Sequence, residues 1–109
     1  MESSRIYYGG IFLNKKELRD NKIKNEVELE YYSTRKFNSL NEEDMIYGIE
    51  IVKKEYKRRK VNIETNNIEN ISNNSNTIKE IIDILRRNTV TPSGLQVTMD
   101  ELLKQGRTE

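Results

Sequence analysis

One stretch of this chain restricts its fold more than any other: Met45 to Ser72, MIYGIEIVKKEYKRRKVNIETNNIENIS. Two apolar-alternating runs flank a very basic connection, and an asparagine-rich segment follows. Alternation at period two puts every second side chain on the same face of a strand. Met45, Tyr47, Ile49 and Ile51 therefore share a face in a strand over Met45–Tyr56. Val61 and Ile63 carry the next strand, close enough for an antiparallel hairpin that turns around Tyr56 to Arg59. From Asn66 to Asn76 there are six asparagines in eleven residues. Asparagine bonds to its own backbone and tolerates the left-handed region. This segment reads as a connection that meets the core at Ile68 and Ile71.

Two strands precede this stretch. Arg5 to Leu13 (RIYYGGIFL) is rich in β-formers, and Gly9-Gly10 marks a bulge or bend. Asn14 to Asn25 is a polar, lysine-rich connection. In Glu26 to Tyr32, Val27, Leu29 and Tyr31 point one way and Glu26, Glu28 and Glu30 the other. Ser33 to Asp44 is polar and reads as an exposed loop.

After Asn76 the period changes. Thr77-x-x-Glu80 has the form of a capping box. Ile78, Ile81, Ile82 and Leu85 then recur at helical spacing, with Asn88 as C-cap. Thr91-Pro92 restarts a helix whose apolar stripe is Leu95, Met99, Leu102 and Leu103. Thr98-x-x-Glu101 offers a later start for it, and Gly106 ends the order. Strands followed by helices make an α+β domain. The expected architecture is an antiparallel sheet of three to four strands, with two C-terminal helices on the face of Tyr31, Tyr47, Ile49 and Ile51. The 109 residues suit one domain. It divides into a sheet over about 5–65, an asparagine-rich connection 66–76, a helix pair 77–104 and a tail 105–109.

Composition then removes function classes. The chain has no histidine, cysteine or tryptophan. The commonest general base and metal ligand is therefore missing, as is any thiolate or disulfide. The start MESSRIYYGG lacks a signal peptide's basic and apolar regions. No apolar run approaches membrane-spanning length. A cytoplasmic protein without membrane contact is expected, and the sequons at Asn70 and Asn73 then carry no meaning.

Net charge is +1, but the eight residues Lys53–Lys60 (KKEYKRRK) hold a net +5, which leaves −4 for the remainder. Lys53, Lys54, Lys57, Arg58, Arg59 and Lys60 are candidate contacts to a partner or to phosphates, with Tyr56 stacking on a base. The competing reading is a solvated hairpin tip whose charge keeps a sheet edge from pairing. The ladder Glu26, Glu28, Glu30 is no metal site, because alternate strand residues lie about 7 Å apart and a hard cation needs converging oxygens. Of six tyrosines, Tyr31 and Tyr47 read as core, while Tyr8 and Tyr32 stay open. Gly9-Gly10 is followed by no G-K-[ST] and is no phosphate loop.

VELEYY (Val27 to Tyr32), YGIEIVKKE (Tyr47 to Glu55), and NIENIS (Asn67 to Ser72) leading into TIKEIIDILRRNTVTPSGL (Thr77 to Leu95) are informative as a set. The combination resembles a family of short clostridial (Firmicutes) proteins of unknown function, over about Val27 to Leu103. The resemblance implies no activity and no catalytic residues. Relatives tend to be more acidic after the T-P, where this chain has QVTMDELL.

The expectation is a small regulatory protein–protein interaction module, not an enzyme and without cofactor, binding a protein partner through its sheet edge or helix pair. Nucleic-acid binding through the hairpin at 53–60 is the second reading and a structural homodimer the third.

Overall fold

The structure, a computed structural model, describes residues 2–13, 25–38 and 41–104. Four strands form one antiparallel sheet in the order β1-β2-β3-β4: β1 (Glu2–Leu13), β2 (Glu26–Asn38), β3 (Asn41–Lys57) and β4 (Lys60–Ser72). Then come α1 (Ser75–Arg87), a 3-10 turn at Pro92–Gly94, and α2 (Leu95–Lys104). The expected α+β class, with two C-terminal helices after an antiparallel sheet, is what the chain forms. Residues 14–24 of the lysine-rich connection, and the tail with Gly106, lie outside the described residues.

Two segments expected to be irregular are strand. Residues 33–38 and 41–44 continue β2 and β3, which pair from Glu26↔Tyr56 out to Asn38↔Asn41. The backbone ladder of two long neighbours overrides a polar composition that favours loop. Ser33 is even buried, opposite Ile49. Likewise, residues 66–72 belong to β4, so the asparagine-rich connection shrinks to Asn73 and Asn74. β4 is an edge strand, and its Asn66, Asn67 and Asn70 are exposed while Ile68 and Ile71 touch the core. Polar side chains suit an edge, where they discourage pairing with other chains.

Two irregularities shape the sheet. The expected bulge is present in β1: Tyr7 pairs Tyr32 and Gly9 pairs Tyr31, which leaves Tyr8 as the extra residue. The bulge turns Tyr7 to one face and lets Tyr8, Ile11 and Leu13 pack on the core. The second bulge is in β4, where Tyr47 pairs Ser72 but Ile49 pairs Ile68. Asn70 sits in it with φ 59°, a left-handed conformation that asparagine tolerates. The bulged backbone comes down onto Gly48. A Cβ there would collide with the Ile68 carbonyl oxygen and lie 2.7 Å from Thr34 Oγ1 and 2.9 Å from Glu69 Cα.

The core is the layer between sheet and helices. Val27, Leu29, Tyr31, Ile49 and Ile51 meet Ile78, Ile81, Ile82 and Leu85 of α1 and Leu95, Met99 and Leu102 of α2. Tyr47 packs partly against this layer and Met45 is half-buried. Leu103, expected on the stripe, is 54% exposed. One helical step past Leu102 carries it off the buried arc.

Helix ends differ in detail from the sequence expectation. Asn74 is the N-cap of α1; its side chain accepts from the Asn76 N–H at 2.9 Å, so Thr77 and Glu80 are inside the helix and form no capping box. Asn88 is the C-cap, as expected. Beyond it Thr89 adopts φ 53°, with Thr89 N–H donating to Arg86 O and Val90 N–H to Leu85 O. This is a Schellman ending with a β-branched residue where glycine is usual. The strain is held because Val90 is fixed from both sides: its side chain is buried, and its carbonyl accepts the Tyr31 hydroxyl at 2.8 Å. Pro92 opens the 3-10 turn after Thr91, and α2 follows at Leu95, ahead of the Thr98 start.

Tyr31 gives the fold a pH dependence at its alkaline end. Burial pushes its phenol up to about 12, opposed in part by Arg86. A phenol in the unfolded chain titrates near 10, so the folded state holds the proton more tightly. The stabilisation is complete below about pH 10 and is lost as pH rises towards about 12, a span worth about 2–3 kcal/mol. Urea unfolding followed across that range is expected to show a steeper loss in the native chain than in Tyr31→Phe, which keeps only the part due to the raised Tyr32 and Tyr56 phenols and Lys54 ammonium. The variant is less stable at neutral pH by about 1–3 kcal/mol, because the Val90 carbonyl is left unpaired. Parallel pH curves for the two proteins would refute the assignment.

Candidate functional site

The helices cover one face of the sheet, and no described element covers the other. Cross-strand register fixes what that open face carries. One row across all four strands is Phe12, Glu28, Lys54 and Ile63. Another is Tyr7, Tyr32, Glu50 and Asn67. Between them lie Gly10, Glu30, Val52 and Thr65. Nearest the β3–β4 turn, Tyr56 pairs Val61.

Polar groups on this face are knitted together. The Tyr56 hydroxyl donates to Glu28 at 2.7 Å, the Tyr32 hydroxyl to Glu30 at 2.9 Å, and Lys54 Nζ to the other oxygen of Glu30 at 3.2 Å. Arg5 donates to Glu50 at 2.7 Å and lies 4.1 Å from the centre of the Tyr32 ring. The hydrogen bond to Glu28 raises the Tyr56 phenol; burial, then the bond to Glu30, raises that of Tyr32; the bond to Glu30 raises the Lys54 ammonium. Each is held in the protonated form that its carboxylate partner needs. The glutamate ladder thus orders aromatic and basic side chains, and among the described residues no three carboxylates converge as a metal site.

Apolar groups are left in the open. Phe12 is 51% and Ile63 60% exposed, and Tyr7, Val61 and Tyr56 are exposed as well. The Phe12 and Tyr56 rings are 6.2 Å apart, and Tyr7 meets Tyr32 edge-on at 5.6 Å. Flat, rigid aromatics on a sheet lose little entropy when covered, which is why such residues concentrate at interfaces.

The basic run is divided by this geometry. Lys57 pairs Lys60, leaving Arg58 and Arg59 as a two-residue turn. Lys54 and Tyr56 face the open side. Lys53 falls on the opposite face and lies 3.7 Å from Glu64. Between them in sequence, Glu55 accepts from Asn25 at 3.0 Å, which holds its carboxyl below the usual range. Only Lys57 to Lys60 remain together as exposed charge, with no ion pair among the described residues. Of the seven candidates, the structure sets Tyr56 and Lys54 on the open face and Arg58 and Arg59 in the turn at its end, while Lys57 and Lys60 share the side of Lys53.

Among the neighbours, Val61 and Ile63 are legible in the sequence as outward-facing, whereas Phe12 is placed only by the register of β1 on β2. A two-residue turn sets Tyr56 opposite Val61 and Lys54 opposite Ile63. That parity is opposite to that of Ile49 and Ile51, which makes both β4 residues outward-facing.

A family of unknown function, DUF6514, matches residues 11–105. The chain belongs to that family. The match spans β2 to α2 and only Ile11–Leu13 of β1, and it brings no activity and no residue roles. No curated protein and no solved structure matches the chain. For this DUF6514 chain the site therefore rests on geometry. No described helix is long and apolar enough to cross a membrane.

Proposed function

We infer that this DUF6514 chain is a non-enzymatic protein–protein interaction module, cytoplasmic and regulatory, that engages its partner with the open face of the sheet. The observation that carries the reading is the exposed set Tyr7, Phe12, Tyr56, Val61 and Ile63 on a face that no described element covers. The helix pair supports the face from behind, because its apolar stripes are used in the core. The carboxylates favour protein over nucleic acid. Glu28, Glu30 and Glu50 lie on the same face as the aromatics, so a phosphate chain laid across the rings would run over negative charge. Nucleic-acid binding at the basic tip is the second reading, supported by the four exposed cations at Lys57 to Lys60.

Site-directed photo-crosslinking in the native cells tests the proposal. A photoreactive amino acid at Tyr7, on the open face, is expected to capture protein. The same group at exposed Lys79 of α1 is expected to capture none. A self-adduct from Tyr7 would make the partner a second copy. Equal capture from both positions, or none from Tyr7, would overturn the reading.

A further inference from the structure

The two edges of the sheet are unlike. β4 carries Glu64, Asn66, Asn67, Glu69 and Asn70, polar and charged groups of the kind that keep an edge from pairing. From Ser4 to Leu13, β1 carries one charged residue, Arg5, and that is engaged by Glu50. Ile6, Tyr7 and Phe12 are exposed, and no described strand pairs the outer side of β1. The bulge bears on what can pair there. Tyr8 and Gly9 together occupy the place opposite Tyr31. Arg5, Tyr7, Gly10 and Phe12 are then on the open face, and Ser4, Ile6, Ile11 and Leu13 on the helix face. A straight strand can follow β1 only as β2 does, with one residue set against two and a break in the ladder. A strand with its own bulge at the facing position leaves no residue over, and a second copy of this chain has that strand.

We propose that β1 pairs antiparallel with β1 of a second copy, bulge facing bulge, and joins the two sheets into one of eight strands. With each Tyr8 opposite the other Gly9, like faces meet on both sides of the bulge, and a slip of one residue would exchange them. Ile6 then lies opposite Ile11 of the second copy, Tyr7 opposite Gly10, and Arg5 opposite Phe12. Cross-strand pairs of this kind are what stabilise a sheet, and no like charges are opposed. A register confined to the first half of β1 and centred on Arg5 would set Arg5 against itself. Beside Ile11, α1 leaves a cleft of about 480 Å³ lined by Asp83, Arg86 and Arg87, so Ile6 of the second copy has room to enter. The pairing is self-complementary, as a two-fold interface must be. Its dyad stands normal to the sheet, so both open faces end on the same side.

Sedimentation equilibrium on the full chain, from micromolar to submillimolar concentration, is expected to show a monomer–dimer equilibrium. Ile6→Lys puts a charge into the middle of the pairing and should weaken it at least about tenfold. Circular dichroism should show its fold unchanged, because Ile6 is already exposed. Val61→Lys, on the other edge, should leave the equilibrium as it is. The chain has no cysteine, so an engineered disulfide can report the register. Oxidation of the double variant Arg5→Cys, Phe12→Cys is expected to give a covalent dimer, since directly opposed residues have Cβ atoms about 5 Å apart. Either single variant should give none, because like positions lie about 23 Å apart along the strands. A monomer at every concentration, a dimer indifferent to Ile6→Lys, or covalent dimers from the single variants would overturn the proposal. A self-adduct from a photoreactive group at Tyr7 that vanishes in Ile6→Lys belongs to this edge, whereas capture of other proteins there concerns the open face alone.

Discussion

Ile82→Ala is expected to lower the stability of this fold by about 2–5 kcal/mol. Ile82 is 1% exposed and lies among the α1 residues that close the core against the sheet. Its removal forfeits the transfer free energy of the side chain and leaves a void that the surrounding side chains fill only in part. A domain of this size commonly has about 5–15 kcal/mol of stability in total, so the change takes a large share of it. The void lies between two rigid layers. The sheet cannot bend towards it without breaking its ladder, and α1 is held at one end by the Asn74 cap and at the other by the Schellman turn. Urea unfolding monitored by circular dichroism is expected to show a midpoint well below that of the native chain. Lys79→Ala, on the exposed side of the same helix, should leave the midpoint within about 0.5 kcal/mol of native. An unchanged midpoint for Ile82→Ala would mean that α1 does not close the core.

Gly48→Val is expected to cost about 3 kcal/mol or more. Even the Cβ of an added side chain would collide with the Ile68 carbonyl oxygen and crowd Thr34 Oγ1 and Glu69 Cα. Two of the three atoms are backbone and cannot rotate away. Relief requires the β4 bulge at Asn70 to open, and that would release the pairing of Ile49 with Ile68. The same displacement would disturb the Lys36–Glu69 ion pair, an exposed contact worth little by itself. Gly48 therefore serves the bulge, in the middle of a strand where glycine is otherwise unfavourable. Thermal unfolding and amide exchange check this together. The variant is expected to melt early, and exchange in β4 from Ile68 to Ser72 should accelerate more than exchange in β2. A native melting temperature would show that the bulge accommodates the side chain.

Much of this architecture could be read from residue order. The alternation of Val27, Leu29 and Tyr31 against Glu26, Glu28 and Glu30 is a local property, and so is the helical spacing of Ile78, Ile81, Ile82 and Leu85. Both survive folding because the buried face of each element is chosen by its own period. The extents of β2, β3 and β4 were less legible. Ser33 to Asn38 and Asn66 to Ser72 have loop-like compositions, and only ladder bonds to a neighbour already in place make them strand. Cap positions slipped for a similar reason. Asn74 and Thr77 both suit an N-cap, and the choice between them depends on where the chain leaves β4, with the Ser72 hydroxyl accepting from Asn74 N–H at 3.0 Å.

The candidate surface divides in the same way. The basic run and the tyrosines are visible in the sequence as residue types, and Tyr31 and Tyr47 could be assigned to the core. By itself the sequence determined the fold class, the buried stripes and the location of concentrated charge, because these depend on composition and short-range period. Only the tertiary structure decided that Lys57 and Lys60 share the side of Lys53 while Arg58 and Arg59 form the turn. It also decided that the glutamates bond to Tyr32, Lys54 and Tyr56, and that Phe12 from β1 joins Tyr56 and Ile63 on one open face. Those groupings depend on register between strands distant in sequence, and register is settled jointly by the two-residue turn, the bulges at Tyr8 and Asn70, and the helices that claim the opposite face.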